Sequence, residues 1–174
     1  MHQSVSWPQE KAALYDLLSR QLSALTVDCP PVSVLANAAA LLWEAMPDIN
    51  WAGFYKMEDG KLVLGPFQGK PACIVIPVGR GVCGTAVSEN KTQLVYDVHQ
   101  FPGHIACDSA SNSEIVVPIF KNGEIYGVLD IDSPYFARFT AEDQRGLEEI
   151  VKILEERQVP KAHKLVINNR KTSM

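Results

Sequence analysis

The chain has 174 residues, of which 47% are hydrophobic and 21% are charged, and this composition is typical of one globular domain with a buried core. The formal net charge of −4 argues against nucleic acid as a partner, and no apolar run is long enough to make a membrane an expected partner. The N-terminus also lacks a signal-peptide core, so the sequence predicts a cytoplasmic protein, in which structural disulfides are rare. The cysteines are therefore interpreted as redox, metal-binding or buried thiols; they are Cys29, Cys73, Cys83 and Cys107.

Two helices are predicted first, over residues 8–25 and 32–46. Ser6 is the expected cap of the first helix, and a leucine stripe predicts its buried face: Leu14, Leu17, Leu18, Leu22 and Leu25. The second helix is rich in Ala and Leu and ends before Pro47. Cys29 lies in the Pro-rich connector and is interpreted as structural or incidental, because a reactive thiol needs an electropositive, partly exposed setting.

Four strands are predicted next, over residues 49–57, 62–67, 72–76 and 94–97. Alternation along the first strand places Trp51 and Tyr55 on one face, and Cys73 falls at the start of the third strand. A glycine-rich turn at 79–84 contains Cys83 and leads into a short helix near 82–88. Its spacing matches neither the Walker nor the dinucleotide pattern, so nucleotide binding is not favoured.

Residues 101–133 organise the rest of the chain. A polar loop with Cys107 leads into two apolar runs joined by Asn122-Gly123, which is a strong hairpin signal. A two-residue loop would place Ile115 on the same face as Asp130. A three-residue loop would instead gather the aliphatic side chains on one face: 115, 117 and 119 with 125, 129 and 131. We expect the three-residue loop, because it keeps a carboxylate out of the aliphatic face.

The expected register brings three acids together at one end of the sheet. Glu114, Asp130 and Asp132 share the face opposite the aliphatic residues, where the Cys107 loop arrives. Carboxyl groups held this close cannot all ionise, so at least one of them keeps its proton near neutral pH.

A last helix is predicted after Thr140, with Leu147, Ile150, Val151 and Leu154 on its buried face. Residues 1–160 then form one domain, and 161–174 form a basic tail without regular structure. The fold class is α+β, a mostly antiparallel sheet with helices packed on one face and long loops over the other.

Four stretches of the chain carry a family resemblance: WAGFY at 51–55, GPFQGKPACIVIPVGRGVCG at 65–84, HIACDSASNSEIVVPI at 104–119 and GVLDIDS at 127–133. They resemble the free methionine-(R)-sulfoxide reductases, small single-domain members of the GAF superfamily. The resemblance covers about residues 10–157. GAF domains in general share the GVLDIDS-like strand, whereas the three cysteines in these contexts are more specific.

The resemblance implies an enzyme that reduces free methionine-(R)-sulfoxide, with Cys107 as nucleophile, Cys73 as its disulfide partner and Cys83 as an auxiliary thiol. It also implies thioredoxin as the external reductant, no bound cofactor or metal, and a homodimer. The positions that match the family's substrate pocket are Trp51, Tyr55, Glu114, Asp130 and Asp132.

This chemistry fits the residue types. A thiol reduces a sulfoxide when a thiolate attacks the sulfur and an acid protonates the oxygen, and either Glu114 or Asp132 could be that acid. Asp130 is the expected partner of the substrate ammonium, and Trp51 with Tyr55 could enclose the methylthio group. An acidic pocket opposes thiolate formation, and the nearest candidate cations in the sequence are Arg80, His99 and His104.

Two functions from other classes compete with this interpretation. One is a ligand-sensing GAF module without catalysis, but such modules usually accompany an output domain. The other is a thiol redox sensor, but a sensor needs no substrate carboxylates. Zinc is not favoured, because the sequence has no short-spaced Cys or Cys/His pair.

Overall fold

The structure is a computed structural model, and it describes residues 5–104 and 109–158. Cys107 and the predicted tail at 161–174 lie outside these residues. The helices are α1 (Lys11–Leu25), α2 (Pro31–Ala45), α3 (Gly81–Glu89) and α4 (Ala141–Gln158). The strands are β1 (Trp51–Glu58), β2 (Lys61–Gly69), β3 (Val75–Pro77), β4 (Gln93–Val95), β5 (Ser113–Lys121) and β6 (Glu124–Ser133).

The strands form one antiparallel sheet in the order β3-β2-β1-β6-β5-β4. α2 and α4 pack on one face of the sheet and α1 packs on these two helices, which encloses the larger apolar core. α3 packs on the other face with a smaller core. The predicted α+β class is confirmed, with the difference that one short helix shares the face of the long loops. Within the part of the chain that the structure describes, no helix has both the length and the apolar character needed to cross a bilayer.

α1 begins at Lys11 and not at residue 8, and the predicted cap Ser6 is wrong. Glu10 caps the helix, since its carboxylate accepts hydrogen bonds from the backbone N–H groups of Ala12 at 3.0 Å and Ala13 at 2.8 Å. The buried residues of the helix are Leu14, Tyr15, Leu18 and Leu22, and the predicted Leu17 and Leu25 are half-buried. The leucine stripe therefore indicated the correct face but missed Tyr15.

Asp143, in the first turn of α4, holds three parts of the chain together. Its buried carboxylate accepts hydrogen bonds from Lys11 Nζ at 2.6 Å, from the Tyr15 hydroxyl at 2.9 Å and from the Thr140 backbone N–H at 2.8 Å. Arg138 Nη1 lies 3.5 Å from the same group. Burial alone would raise the pKa of Asp143, but the hydrogen bonds from Lys11, Thr140 and Tyr15 outweigh it and lower the pKa below its usual value.

The β5–β6 hairpin turns on two residues, so the predicted three-residue loop is wrong. Lys121 pairs with Glu124, and both loop residues have positive φ, 53° at Asn122 and 81° at Gly123. An Asn-Gly pair adopts this type of turn readily because both residues tolerate the left-handed conformation. The pairing then shifts between Ile119 and Phe120, where β6 contains an extra residue.

This bulge restores the predicted faces for most of the hairpin. Beyond it, Ile115 pairs with Ile131 and Val117 pairs with Leu129, so these side chains enter the larger core as expected. Ile125 is the exception, because the bulge moves it to the smaller core, and Tyr126 packs against the larger core instead.

Asp143→Asn should lower the free energy of unfolding by about 3 kcal/mol at pH 7, because Lys11 and Arg138 would lose their shared anion. The pKa of Asp143 is lowered in the folded state, so the carboxylate stabilises the protein above its unfolded pKa, and this stabilisation is lost as the pH falls through the folded pKa. The difference between wild type and variant should therefore shrink below about pH 4. Urea unfolding at pH 7 and pH 3 measures it.

Asp16→Asn is the matched control, because Asp16 pairs with Arg20 on the surface of α1 with both side chains about two-thirds exposed. Its loss should stay below about 0.5 kcal/mol. Equal losses for the two variants would contradict the assignment of Asp143 as the anchor.

Candidate active site

A cleft opens on the sheet face that carries α3. It contains about 530 Å³ of space, part of it open to solvent. Six of the predicted site residues line it: Trp51, Tyr55, Cys83, Glu114, Asp130 and Asp132. The remaining wall includes Arg80, His104 and Ser111. The structure therefore brings together residues from β1, α3, β5 and β6 that are up to 81 positions apart in the sequence.

The register of β5 and β6 places the three acids side by side. Glu114 pairs directly with Asp132, and Asp130 lies two residues before Asp132 on the same strand, so all three point to the same face. Glu114 and Asp130 are each only 6% exposed, whereas Asp132 is half-buried. The predicted clustering of the acids is therefore what the structure shows.

β1 supplies an aromatic wall beside the acids. The Trp51 ring stacks between Tyr55, at 5.8 Å between centroids, and Phe67, at 5.2 Å. Gly53 lies between the two site aromatics on this face, and a Cβ there would collide with the side chains of Phe67 and Trp51. The absence of a side chain at position 53 is thus what permits the stacking.

Hydrogen bonds tie the same wall to the segment that carries Cys73. Trp51 Nε1 donates to the Lys70 carbonyl at 3.1 Å, and the Tyr55 hydroxyl donates to the Cys73 carbonyl at 3.0 Å. Cys73 lies between β2 and β3 and not at a strand start, because β3 begins at Val75. Its side chain is half-buried and disulfide-bonded.

The acids do not share their protons equally. Burial, reinforced by the neighbouring Asp130 and Asp132, raises the pKa of Glu114 well above its usual value. Burial also raises the pKa of Asp130, to about 6, although hydrogen bonds from Glu114 and Cys83 oppose this shift. Near neutral pH, Glu114 is therefore a protonated acid and Asp130 is largely a carboxylate. Asp130 Oδ1 is buried without a hydrogen-bond partner among the described residues.

Cys83 is a free, buried thiol in contact with this pair. Its Sγ and one carboxylate oxygen each from Glu114 and Asp130 lie within 4.8 Å of one another, a spacing that could hold a metal ion. Burial, and after it the charge of Asp130, raises the pKa of the Cys83 thiol well above its usual value. Protons held on the thiol and on Glu114 oppose cation binding, because metal ligands must be deprotonated.

His104 is a cleft residue that the sequence offered only as a candidate cation. Its Nε2 lies 3.8 Å from Glu114 Oε2. Burial, with a smaller contribution from His99, lowers the pKa of His104, so the ring is neutral near pH 7. Proximity in sequence to Cys107 was the one signal that could have indicated it. Cys107 itself lies outside the described residues, so its expected position facing the acids stays a prediction.

Cys29 packs against the larger core and does not line the cleft. It is a free thiol whose Sγ contacts the carbonyl oxygens of Leu25 and Val27 at 3.5 Å, and it packs beside the larger core. These contacts agree with its interpretation as a structural residue.

Comparisons with known proteins point in the same direction as the geometry. The sequence profile of the GAF domain matches residues 32–155. The chain is 58% identical to the free methionine-R-sulfoxide reductase of Escherichia coli K12 over 146 residues, which cover 83% of this chain and 88% of that protein. It is 51% identical to the enzyme of the same name from Saccharomyces cerevisiae, over 69% of this chain and 71% of that protein.

A solved structure extends the likeness to three dimensions. The X-ray structure of free methionine-R-sulfoxide reductase from Neisseria meningitidis in complex with its substrate matches with a TM-score of 0.88 and 46% identity. The match covers 91% of this chain and 96% of that one.

Glu114→Gln should make the protein more stable than wild type at pH 8. The pKa of Glu114 is raised in the folded state, so its stabilising effect is fully present below the unfolded value of about 4.3 and is lost as the pH rises. A glutamine cannot ionise and avoids this loss while still donating to Asp130. Thermal unfolding between pH 4 and pH 8 should show the two proteins diverge as the pH rises.

Glu124→Gln, which changes an exposed acid at the start of β6 in the same hairpin, is the control and should leave the pH dependence unchanged. A Glu114→Gln curve that runs parallel to wild type would contradict a buried, protonated Glu114.

Proposed function

The chain belongs to the GAF domain family, within the free methionine-R-sulfoxide reductases, and on this premise we propose that it reduces free L-methionine (R)-S-oxide to L-methionine by thiol chemistry. It is an oxidoreductase. The observation that carries the proposal is the buried Glu114–Asp130 pair, one protonated and one ionised, facing an aromatic wall.

The pair and the wall suit the two ends of the substrate. Asp130 is a carboxylate with an unsatisfied oxygen, and it would bind the ammonium of a free amino acid. Trp51 and Tyr55 would hold the methylthio group. Glu114, with Asp132 beside it, would donate its proton to the sulfoxide oxygen. Because the sulfur is stereogenic, fixing the methyl group, the oxygen and the amino-acid chain at three separate places leaves one configuration open to attack.

The chemical step balances with one thiol and one proton donor. The Cys107 thiolate attacks the sulfur, Glu114 protonates the oxygen, and the oxygen transfers to Cys107, which leaves methionine and a cysteine sulfenic acid. The proton that Glu114 gives is replaced by the one that Cys107 lost. Sulfur in the substrate is reduced by two electrons, and Cys107 is oxidised by two.

A second thiol completes the cycle. The Cys73 thiol condenses with the sulfenic acid, so that water leaves and a disulfide forms. In support, Cys73 is disulfide-bonded, while Cys29 and Cys83 are free thiols. Reduced thioredoxin then returns two electrons and two protons and regenerates both thiols. A cytoplasmic location, expected from the sequence, and a homodimeric assembly, implied by the family resemblance, belong to the same proposal.

The test follows methionine formation and NADPH loss in the presence of thioredoxin and thioredoxin reductase. The R form of free methionine sulfoxide should be turned over and the S form should not. Cys107→Ser should lose at least about a thousandfold in kcat/KM, because the nucleophile is absent. Cys73→Ser should release one equivalent of methionine per enzyme and then stop.

Cys29→Ser is the control and should retain wild-type turnover. Multiple turnovers by Cys73→Ser with thioredoxin would refute the role of Cys73, and turnover by Cys107→Ser would refute the mechanism as a whole.

A further inference from the structure

Three apolar side chains beside the disulfide cysteine are exposed to solvent. Ile74 is 70% exposed, Val75 is 45% exposed and Val78 is 40% exposed. We call these residues the Ile74 surface. They lie on and around β3, the edge strand, whose outer side pairs with no strand among residues 5–104 and 109–158. Apolar side chains clustered at an open strand edge are typical of an interaction site.

The segment of sequence that contains the Ile74 surface is basic. Residues 61–88 contain the cations Lys61, Lys70 and Arg80 and no acidic residue, although the whole chain carries a net charge of −4. Lys61 pairs directly with Pro77 of β3 on one side and with Glu58 of β1 on the other, so it is the cation that the sheet register places next to β3. An acidic partner would be attracted to this region of an otherwise acidic protein.

We propose that the Ile74 surface is the docking site for the dithiol reductase that regenerates the enzyme, and that this reductase presents an apolar, acidic rim around its cysteine pair. The proposal rests on the proposed function, since the chain needs a reductant only if each turnover oxidises its cysteines. One partner thiolate attacks the disulfide to give a mixed disulfide. The second partner thiol then attacks this mixed disulfide, which forms a disulfide within the partner and releases the cysteine of the chain as a thiol. The partner is oxidised and the chain is reduced by two electrons, with two protons passing to its thiols.

Redox encounters of this kind use small interfaces, so a single well-exposed apolar residue should carry much of the affinity. Ile74→Ser should lower kcat/KM for reduced thioredoxin about tenfold, while the rate of reduction by dithiothreitol, which needs no docking surface, stays unchanged. Lys61→Glu should slow thioredoxin and flatten the salt dependence of its rate. Val32→Ser, a 64% exposed valine on α2, is the matched control.

Each outcome decides the matter. An unchanged thioredoxin rate in Ile74→Ser, or an equal loss with dithiothreitol, overturns the docking site. So does dissociation of an oligomer by Ile74→Ser in sedimentation velocity, because the surface would then join two copies of the chain. If reduced wild-type enzyme yields no methionine in one turnover, the proposed function itself fails; a normal yield with an unchanged thioredoxin rate overturns the docking site alone.

A second inference comes from Cys83, a buried thiol that the proposed redox cycle does not use. It lies in the first turn of α3, and the next residue, Gly84, approaches the Pro77 carbonyl so closely that a Cβ would not fit. This contact holds the helix against β3 and fixes the thiol beside Glu114 and Asp130.

We infer that Cys83 is a positioning residue: its Sγ lies within 4.8 Å of a carboxylate oxygen of Glu114 and of Asp130, and its S–H donates to Asp130 and so favours the charged form of that carboxyl group. The groups that face this pair come from every neighbouring element: Tyr55 on β1, Asp132 on β6, and Arg80 and His104 at the cleft wall. A thiol held in its protonated form is a hydrogen-bond donor and a poor nucleophile.

The pH profile of kcat/KM separates this role from packing and from redox chemistry. In Cys83→Ala the acidic limb should move to higher pH and the KM should rise at pH 6.5, because Asp130 loses a donor that favours its charge. Cys83→Ser should restore both values, since a hydroxyl donates in the same place. Equal shifts in Cys83→Ala and Cys83→Ser overturn the inference, and so does loss of thioredoxin recycling in Cys83→Ser.

Discussion

Burial of two carboxyl groups in contact is the constraint on which the cleft depends. Glu114 and Asp130 are almost fully removed from water, and two negative charges so close together in a poorly solvated place would be strongly unfavourable. The protein avoids this by retaining a proton on Glu114, which gives the cleft an acid and an anion from two residues of similar intrinsic chemistry. Burial of the two carboxyl groups lowers the stability of the protein but keeps a proton on Glu114, and such a loss of stability is common at catalytic sites.

The sheet can present these acids only because two local requirements are reconciled in the hairpin. Asn122-Gly123 favours a two-residue turn, and that turn alone would set the strands in a register that mixes Asp130 with the aliphatic face. The burial pattern requires the other parity. One extra residue in β6 satisfies both, since the turn keeps its preferred geometry and the strands beyond the bulge regain the aliphatic pairing of Ile115 with Ile131.

This explains which features could be predicted from the sequence. Alternation along β1, β5 and β6 indicated the aromatic wall and the acid cluster, because side-chain parity is a local property that burial enforces. The bulge could not be predicted, since it resolves a conflict that appears only when turn and core are considered together. Its local consequence, the exchange of Ile125 for Tyr126, was missed for the same reason. The places of Cys83 and His104 depend on how α3 and a loop pack across the sheet, which no local pattern records.

Hydrogen bonds connect the aromatic wall of the cleft to the segment that contains Cys73. The ring nitrogen of Trp51 and the hydroxyl of Tyr55 hold the backbone at Lys70 and Cys73, so the wall proposed to bind the methylthio group also anchors the cysteine proposed to resolve the sulfenic acid. Cys73 must therefore stay near the cleft and also be accessible to a reductant.

The residues that follow Cys73 provide this access. Ile74 and Val75 extend outward along the open sheet edge, while Ile76 turns inward into the smaller core and holds the strand in place. Because Ile76 anchors this short segment while the two residues before it stay exposed, the segment can connect the buried chemistry to a partner outside.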